Sequence, residues 1–222
     1  MTKLQADAVI RAGLDLLDEV GADGLTTRKL AERLGVQQPA LYWHFKNKRA
    51  LLDRLGEAML SESHTYSMPR PGDNWRSFLN GNARSFRRAL LAYRDGARIH
   101  AGTRPSEPQF VAVEAQLAFL CGEGFAPADA AYALTTTSYF TVGAVLEQQA
   151  AAADEQERQA GAKQTPSSAT PLLAAALQAF DAAGPDAAFE YGLAAIVDGL
   201  ELRRAKPAAG GKDRTKALVP RV

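Results

Sequence analysis

Gln38, Pro39, Ala40, Tyr42, Trp43 and His44 stand almost side by side, and their chemistry suits the edge of a DNA duplex. A glutamine amide pairs with adenine through two hydrogen bonds, and an arginine such as Arg28 does the same with guanine. Proline and alanine offer apolar surface to a thymine methyl. Thr27, Tyr42, Trp43, His44 and Lys48 can donate to phosphate oxygens, which fixes register without reading sequence. Tyr42, Trp43 and His44 are consecutive, so they cannot all point into one core. An exposed aromatic edge is expected instead. Residues 26–49 also carry Arg28, Lys29, Arg33, Lys46, Lys48 and Arg49 against Glu32 alone. Solvated surface charge is the bland reading of such an island; attraction to a polyanion is the functional one.

These side chains need two short helices to hold them. Residues 27–34 and 39–45 form that pair around Gly35-Val36, the geometry of a helix-turn-helix. Thr26 or Thr27 can cap the first helix. Pro39 fits the first turn of the second, where its missing N–H costs nothing. Leu30, Ala31, Leu34, Val36, Leu41 and Phe45 supply the internal packing. Before this pair, residues 5–20 place Val9, Ile10, Gly13, Leu14, Leu17 and Val20 at helical spacing, and Gly21 and Gly24 break the pattern. A longer helix spans 47–63, and the two prolines of 66–74 mark a connector. Helices follow at 75–92, 95–100, 107–123, 127–150, 172–180 and 186–203, with a turn at 101–105. Residues 148–171 are rich in alanine and polar groups and read as a mobile loop. No alternating strand pattern occurs, so the fold class is all-α.

The chain has 222 residues, 46% hydrophobic and 23% charged, enough apolar material for a core and ordinary for one or two domains. No apolar run reaches the roughly 18 residues of a membrane span. The first residues are amphipathic, unlike a signal peptide. Cys121 is the one cysteine. Together these point to a cytoplasmic protein without membrane attachment. The net charge of +1 is uneven: seven basic residues from Arg203 onward face Asp213 alone, leaving the remainder acidic. This tail, 205–222, is expected to be disordered.

A second group of residues has the composition of a pocket. His64, Asn82, Phe86, His100, Thr103, Arg104, Pro105, Gln116, Ser138 and Glu147 mix apolar walls with polar groups. Singly, each has an ordinary surface or core reading, and no local metal motif joins His100 to Glu147. Helices 127–150 and 186–203 carry apolar and small-residue stripes. On the first these are Ala131, Leu134, Ser138, Val142 and Val145. On the second they are Phe189, Leu193, Ile196, Val197 and Leu200 beside Gly192 and Gly199. Such stripes suit an intrachain bundle or a contact between two copies.

LTTRKLAERLGVQQPALYWHFKNKRALLD at 25–53 resembles the DNA-binding signature of the TetR family. SFR (85–87), YRDGARIHAGTRP (93–105), QLAFL (116–120), LEQQ (146–149) and PLLAAALQAFD (171–181) are similar to its drug-responsive members. The resemblance covers residues 1–204. It implies an N-terminal three-helix DNA-binding domain with helix-turn-helix (1–46), a connecting helix (47–66) and a helical ligand-binding and dimerisation core (67–204). It implies a homodimer on palindromic double-stranded operator DNA. Arg28 would read a guanine, Gln38 an adenine, and Pro39 and Tyr42 apolar base edges near Ala40. Thr27, Trp43, His44 and Lys48 would lie at phosphates.

The same resemblance implies release by a tetracycline-class molecule carrying Mg²⁺. His64, Asn82 and Gln116 would bind its polar edge, and Phe86, Pro105, Val113 and Leu134 its apolar faces, with Arg104 and Ser138 beside them. His100 would be the direct metal ligand, with Thr103 and a partner subunit's Glu147 acting through water. Tyr139 stands where some relatives have histidine. Two alternatives remain at this point. One is a related repressor answering another hydrophobic effector without metal. The other, a metal-dependent enzyme, lacks a nucleophile–base pair or clustered ligands.

Overall fold

The computed structural model describes residues 5–103, 107–158 and 170–204. They form eight α-helices and a 3-10 segment, with no strand among the described residues. Helix α1 (Ala6–Gly24) buries Val9, Ile10, Gly13, Leu14 and Leu17 as its spacing predicts, and Leu16 besides, while Val20 is half-buried. Gly21 interrupts it with φ 69°. Helix α2 (Thr27–Arg33) begins where the Thr26 hydroxyl accepts the Lys29 N–H at 3.2 Å, so Thr26 is the cap. The next segment, Gln38–Trp43, is a 3-10 helix and not the α-helix its residues suggest. Its amide bonds run three residues back, from Ala40 to the Gln37 carbonyl and from His44 to that of Leu41. Leu41 and Phe45 anchor it in the core.

Helix α3 (Lys48–Ser63) is capped by the Asn47 side chain, which accepts the Ala50 N–H at 2.8 Å. Leu51, Leu55 and Met59 join α1, α2 and the 3-10 segment in one core, which also takes in Tyr93 and Ile99. Helix α4 (Trp75–Leu91) starts at a reciprocal cap between Asn74 and Ser77. Helix α5 (Gly96–His100) is one turn long, and α6 (Glu107–Gly122) and α7 (Pro127–Arg158) complete the middle of the chain. A second core joins Trp75, Phe78 and Leu79 of α4 to Leu120, Phe125, Ala130, Phe189, Leu193 and Val197.

Two sequence expectations change. The loop expected at 148–171 is helical as far as Arg158, because α7 continues through Ala150–Ala153. Alanine is the strongest helix former, so an alanine-rich run extends a helix that is already nucleated. Residues 159–169 of that expected loop, and the tail 205–222, lie outside the described residues. Helix α8 (Pro171–Arg204) joins the two C-terminal helices across a break at Gly184, φ 75°, followed by Pro185. The stripe Phe189, Leu193 and Val197 packs inside the chain's own core and is not an open surface. The outward residues are Tyr132 and Tyr139 on α7 and Leu172, Phe180, Tyr191 and Leu202 on α8.

Candidate DNA interface and ligand site

The first candidate site lies on the N-terminal helices. Trp43 is 88% exposed and Tyr42 about half exposed, while Leu41 and Phe45 on either side are buried. Tyr42 and Trp43 therefore face outward because the flanking apolar residues face in, while His44, expected on the same exposed edge, is half-buried. Gln38 donates from its amide to the Thr27 hydroxyl at 2.9 Å, which ties α2 to the 3-10 segment and brings an expected base-reading residue against an expected phosphate contact. Arg28 is exposed and pairs with Glu32 one turn on, at 3.0 Å. Exposed pairs of this kind contribute about 0–1 kcal/mol, so the guanidinium exchanges partners at little cost. Lys48 is likewise exposed, and Ala40 is half-buried. Pro39 lies in the first turn of the segment.

The second site gathers side chains from α3, α4, α5 and α6. His64 caps the end of α3. Asn82 and Phe86 are one turn apart on α4, so they share a face. The ring of Phe86 lies 5.7 Å from that of His64 and 5.0 Å, edge to face, from that of His100. The Asn82 amide lies 3.4 Å from His64 Nε2 and donates to the carbonyls of Tyr66 and Ser67. Gln116 on α6 donates to the same Ser67 carbonyl at 2.6 Å. Thr103 stands 3.5 Å from His100 Nδ1. Six of the expected residues thus lie along one line, His100 to Phe86 to His64 to Asn82, which meets Gln116 at the shared Ser67 carbonyl, with Thr103 at the His100 end.

Burial shapes the electrostatics. His64 is driven down to about 4, first by loss of water and then by the positive fields of Arg88 and His100. His100 is lowered by burial as well. Both rings are neutral at pH 7, the form in which an imidazole binds a metal or a polar ligand.

The remaining expected residues are more dispersed. Val113 on α6 and Leu134 and Ser138 on α7 are half-buried, and Leu134 packs against the second core. Glu147 is exposed on α7. Among the described residues no group of three His, Cys, Asp or Glu side chains gathers within this one chain. Arg104 and Pro105 lie outside the described residues.

Two features escape the sequence reading. Ser85, fully buried on α4, lies 3.1 Å from His64 Nδ1. The other is a junction between α1 and the turn before α5. There Asp95 accepts the Ala22 N–H, Arg94 N–H donates to Asp18, and Arg98 forks onto Asp23.

This arrangement has close relatives. Residues 9–55 match the family described as bacterial regulatory proteins, tetR family, and residues 68–204 match the tetracyclin repressor-like C-terminal domain. The chain is 72% identical over 204 residues to the tetracycline repressor protein class A from transposon 1721 of Escherichia coli, covering 92% of this chain and 94% of that one. It is 65% identical to the class C repressor of Escherichia coli, over the same 92% and 94%. A structure of the class A repressor in complex with 5a,6-anhydrotetracycline and magnesium aligns with TM-score 0.72 and 61% identity, covering 90% of this chain and 99% of that one. The repressor of Acinetobacter baumannii AYE aligns with TM-score 0.77 and 54% identity, covering 92% and 100%. With a helix-turn-helix at one end, a helical core at the other and both matched along their length, the chain belongs to the tetR family of bacterial regulatory proteins.

Proposed function

We propose that the chain is a tetracycline-responsive transcriptional repressor. As a homodimer it holds a palindromic operator, and it releases the DNA when a tetracycline–Mg²⁺ chelate binds. The observation that carries this reading is the line from His100 through Phe86 and His64 to Asn82, which meets Gln116 at the Ser67 carbonyl. It occurs in a sequence 72% identical to a class A tetracycline repressor. In this reading residues 1–46 hold DNA, 47–66 connect, and 67–204 bind ligand and dimerise. The protein is a cytoplasmic regulator and not an enzyme.

The donor set fits a cation that brings its own oxygens. His100 offers one neutral imidazole, Thr103 a hydroxyl, and a partner's Glu147 a carboxylate. Mg²⁺ prefers six oxygens and gives up water reluctantly, so these residues alone make a poor cage. They suit a chelate in which the drug's keto-enol oxygens and water fill most positions. When bound, the cation organises those oxygens and supplies a Lewis acid for the imidazole. Phe86, Val113 and Leu134 would then exclude water. His64, Asn82 and Gln116 would bind the polar edge, with Ser138 beside them.

The homodimer is supported by the outward faces of α7 and α8. Tyr132, Tyr139, Tyr191 and Leu202 are each at least 70% exposed. Large apolar residues concentrated on two neighbouring helices mark an interaction surface. A two-fold dimer presents its two reading segments about 34 Å apart, one turn of DNA. On the DNA side, Thr27, Arg28, Gln38, Pro39, Ala40, Tyr42, Trp43, His44 and Lys48 form the contact set.

The test is release. A fluorescent duplex, selected for binding from a random-sequence pool, is titrated with the protein and followed by anisotropy. Tetracycline with Mg²⁺ should free the duplex, and a chelator should restore binding. A complex untouched by tetracycline at saturating Mg²⁺ would refute the reading and favour another effector.

A further inference from the structure

The Ser85 hydroxyl is fully buried and sits between two groups of the ligand site. It accepts the Tyr66 N–H at 2.9 Å and lies 3.1 Å from His64 Nδ1. A serine oxygen has two lone pairs and one hydrogen. One lone pair is committed to Tyr66. The contact with His64 is therefore either a second acceptance, from Nδ1–H, which leaves the hydroxyl hydrogen without an acceptor among the described residues, or a donation to a bare Nδ1, which uses it. The two cases place opposite chemistry on the far nitrogen, Nε2, because a neutral imidazole carries one proton.

Asn82 distinguishes the cases. Its Nδ2 faces the carbonyls of Tyr66 and Ser67 at 3.2 and 3.3 Å, groups that only accept, so this end of the amide is the NH2. The same NH2 lies 3.4 Å from His64 Nε2. A donor facing a ring nitrogen calls for a lone pair there. Nε2 is then the acceptor, and the proton is on Nδ1.

We propose that Ser85 is a positioning residue for the ligand site: by accepting from both Tyr66 N–H and His64 Nδ1–H, it makes His64 Nε2 a hydrogen-bond acceptor. This rests on the reading of His64 as a ligand contact. The polar wall then runs acceptor, donor, donor, from His64 through Asn82 to Gln116. Its complement is an edge that runs donor, acceptor, acceptor, such as a donor group beside two carbonyl or enolate oxygens. The segment holding Ser85's other partner is itself fixed. The Tyr66 ring lies flat on α4 at Gly81, where an added Cβ would come within 2.8 Å of it. Arg70 covers the ring at 3.9 Å, and the phenol donates to Asp73. Ser85 therefore meets a rigid backbone amide and cannot turn away from it without leaving that amide unpaired.

The test reads the tautomer directly. The full-length protein labelled with nitrogen-15 at histidine gives the protonation of each ring nitrogen, and His64→Gln assigns the signals. Native His64 should carry its proton on Nδ1; an Nε2–H signal overturns the proposal before any serine variant is made. In Ser85→Ala, whose fold is checked by circular dichroism, the proton should move to Nε2, and Ser85→Thr should keep it on Nδ1. An unchanged Nδ1–H signal in Ser85→Ala contradicts the proposal. Tetracycline binding with Mg²⁺ supplies the second arm. Ser85→Ala should weaken it by about 10-fold, the size of one hydrogen bond, and by under about 2-fold in a His64→Ala background. Equal losses in both backgrounds would make Ser85 merely structural. Binding indifferent to His64→Ala would overturn the reading of His64 instead, whatever the tautomer does.

Discussion

The Asp95 carboxylate accepts the backbone N–H of Ala22 at 2.8 Å, and His100 stands at the other end of the same one-turn helix. A residue of the candidate ligand site and a clamp on the N-terminal helices are thus five positions apart on one short element. Asp95 itself is held in the left-handed region, φ 56°, as the residue before α5. Gln149 of α7 fixes the turn from behind, donating to the carbonyls of Leu90 and Tyr93 and accepting from Ala97 N–H. A displacement of α5 at His100 would be carried to α1 through Asp95.

Removing the clamp should separate binding from response. Asp95→Ala leaves the part-buried Ala22 N–H without its partner, a cost of about 1–3 kcal/mol. Tetracycline affinity should stay within about 2-fold, since the carboxylate is outside the ligand site, while release of operator at saturating drug becomes incomplete. Fluorescence titration and operator anisotropy on the same preparation check both halves. Full release by the variant would exclude α5 as a coupling element.

Gly21 is required where it stands. Its φ is 69°, and a Cβ would meet Asp95 Oδ2 at 2.8 Å. Gly21→Ala should lower stability by about 1–3 kcal/mol, combining left-handed strain with the loss of close approach. Urea denaturation of the dimer at fixed concentration measures it. A variant as stable as the parent would mean that the α1 kink relaxes without cost.

Acid should destabilise the protein through His64. Its folded value is about 4, against an ordinary value of 6.5. Between those values the unfolded chain binds more protons, so stability is full above about pH 6.5 and falls as pH drops toward 4. The size is on the order of 2 kcal/mol for a ring this buried. Urea midpoints at pH 7 and pH 5 should differ more in the native protein than in His64→Gln. Equal differences would assign the acid sensitivity elsewhere.

On the proposed reading, the candidate DNA face divides into two kinds of contact. Gln38→Ala should cost about 1–3 kcal/mol on the preferred operator and relax discrimination at one base pair. Lys48→Ala should weaken all duplexes alike and reduce the salt dependence by about one phosphate contact. Competition binding over a salt series separates them. A Gln38→Ala protein with unchanged base preference would place that side chain on the backbone.

How far the sequence alone reaches depends on the kind of contact. Leu41 and Phe45 inside with Tyr42 and Trp43 outside followed from consecutive positions, because neighbouring side chains diverge. The membership of His64, Asn82, Phe86, His100, Thr103 and Gln116 in one site rested on resemblance, since they come from four helices whose packing no local pattern reveals. Ser85 was missed because a single serine on a helix carries no signal until its neighbour is known to be a histidine from another helix. The Phe189, Leu193 and Val197 stripe was correctly apolar, but periodicity does not say whether the facing surface belongs to the same chain. The helix through Ala150–Ala153 was misread because alanine and polar residues suit an extended helix as well as a loop.

The most direct test of the central claim is a titration of the purified protein with tetracycline, followed by drug fluorescence, first with excess Mg²⁺ and then with a chelator. The account predicts saturable binding with Mg²⁺ that the chelator abolishes and that His100→Ala severely weakens. Saturable binding that survives the chelator, or none in folded protein with Mg²⁺ present, would contradict it.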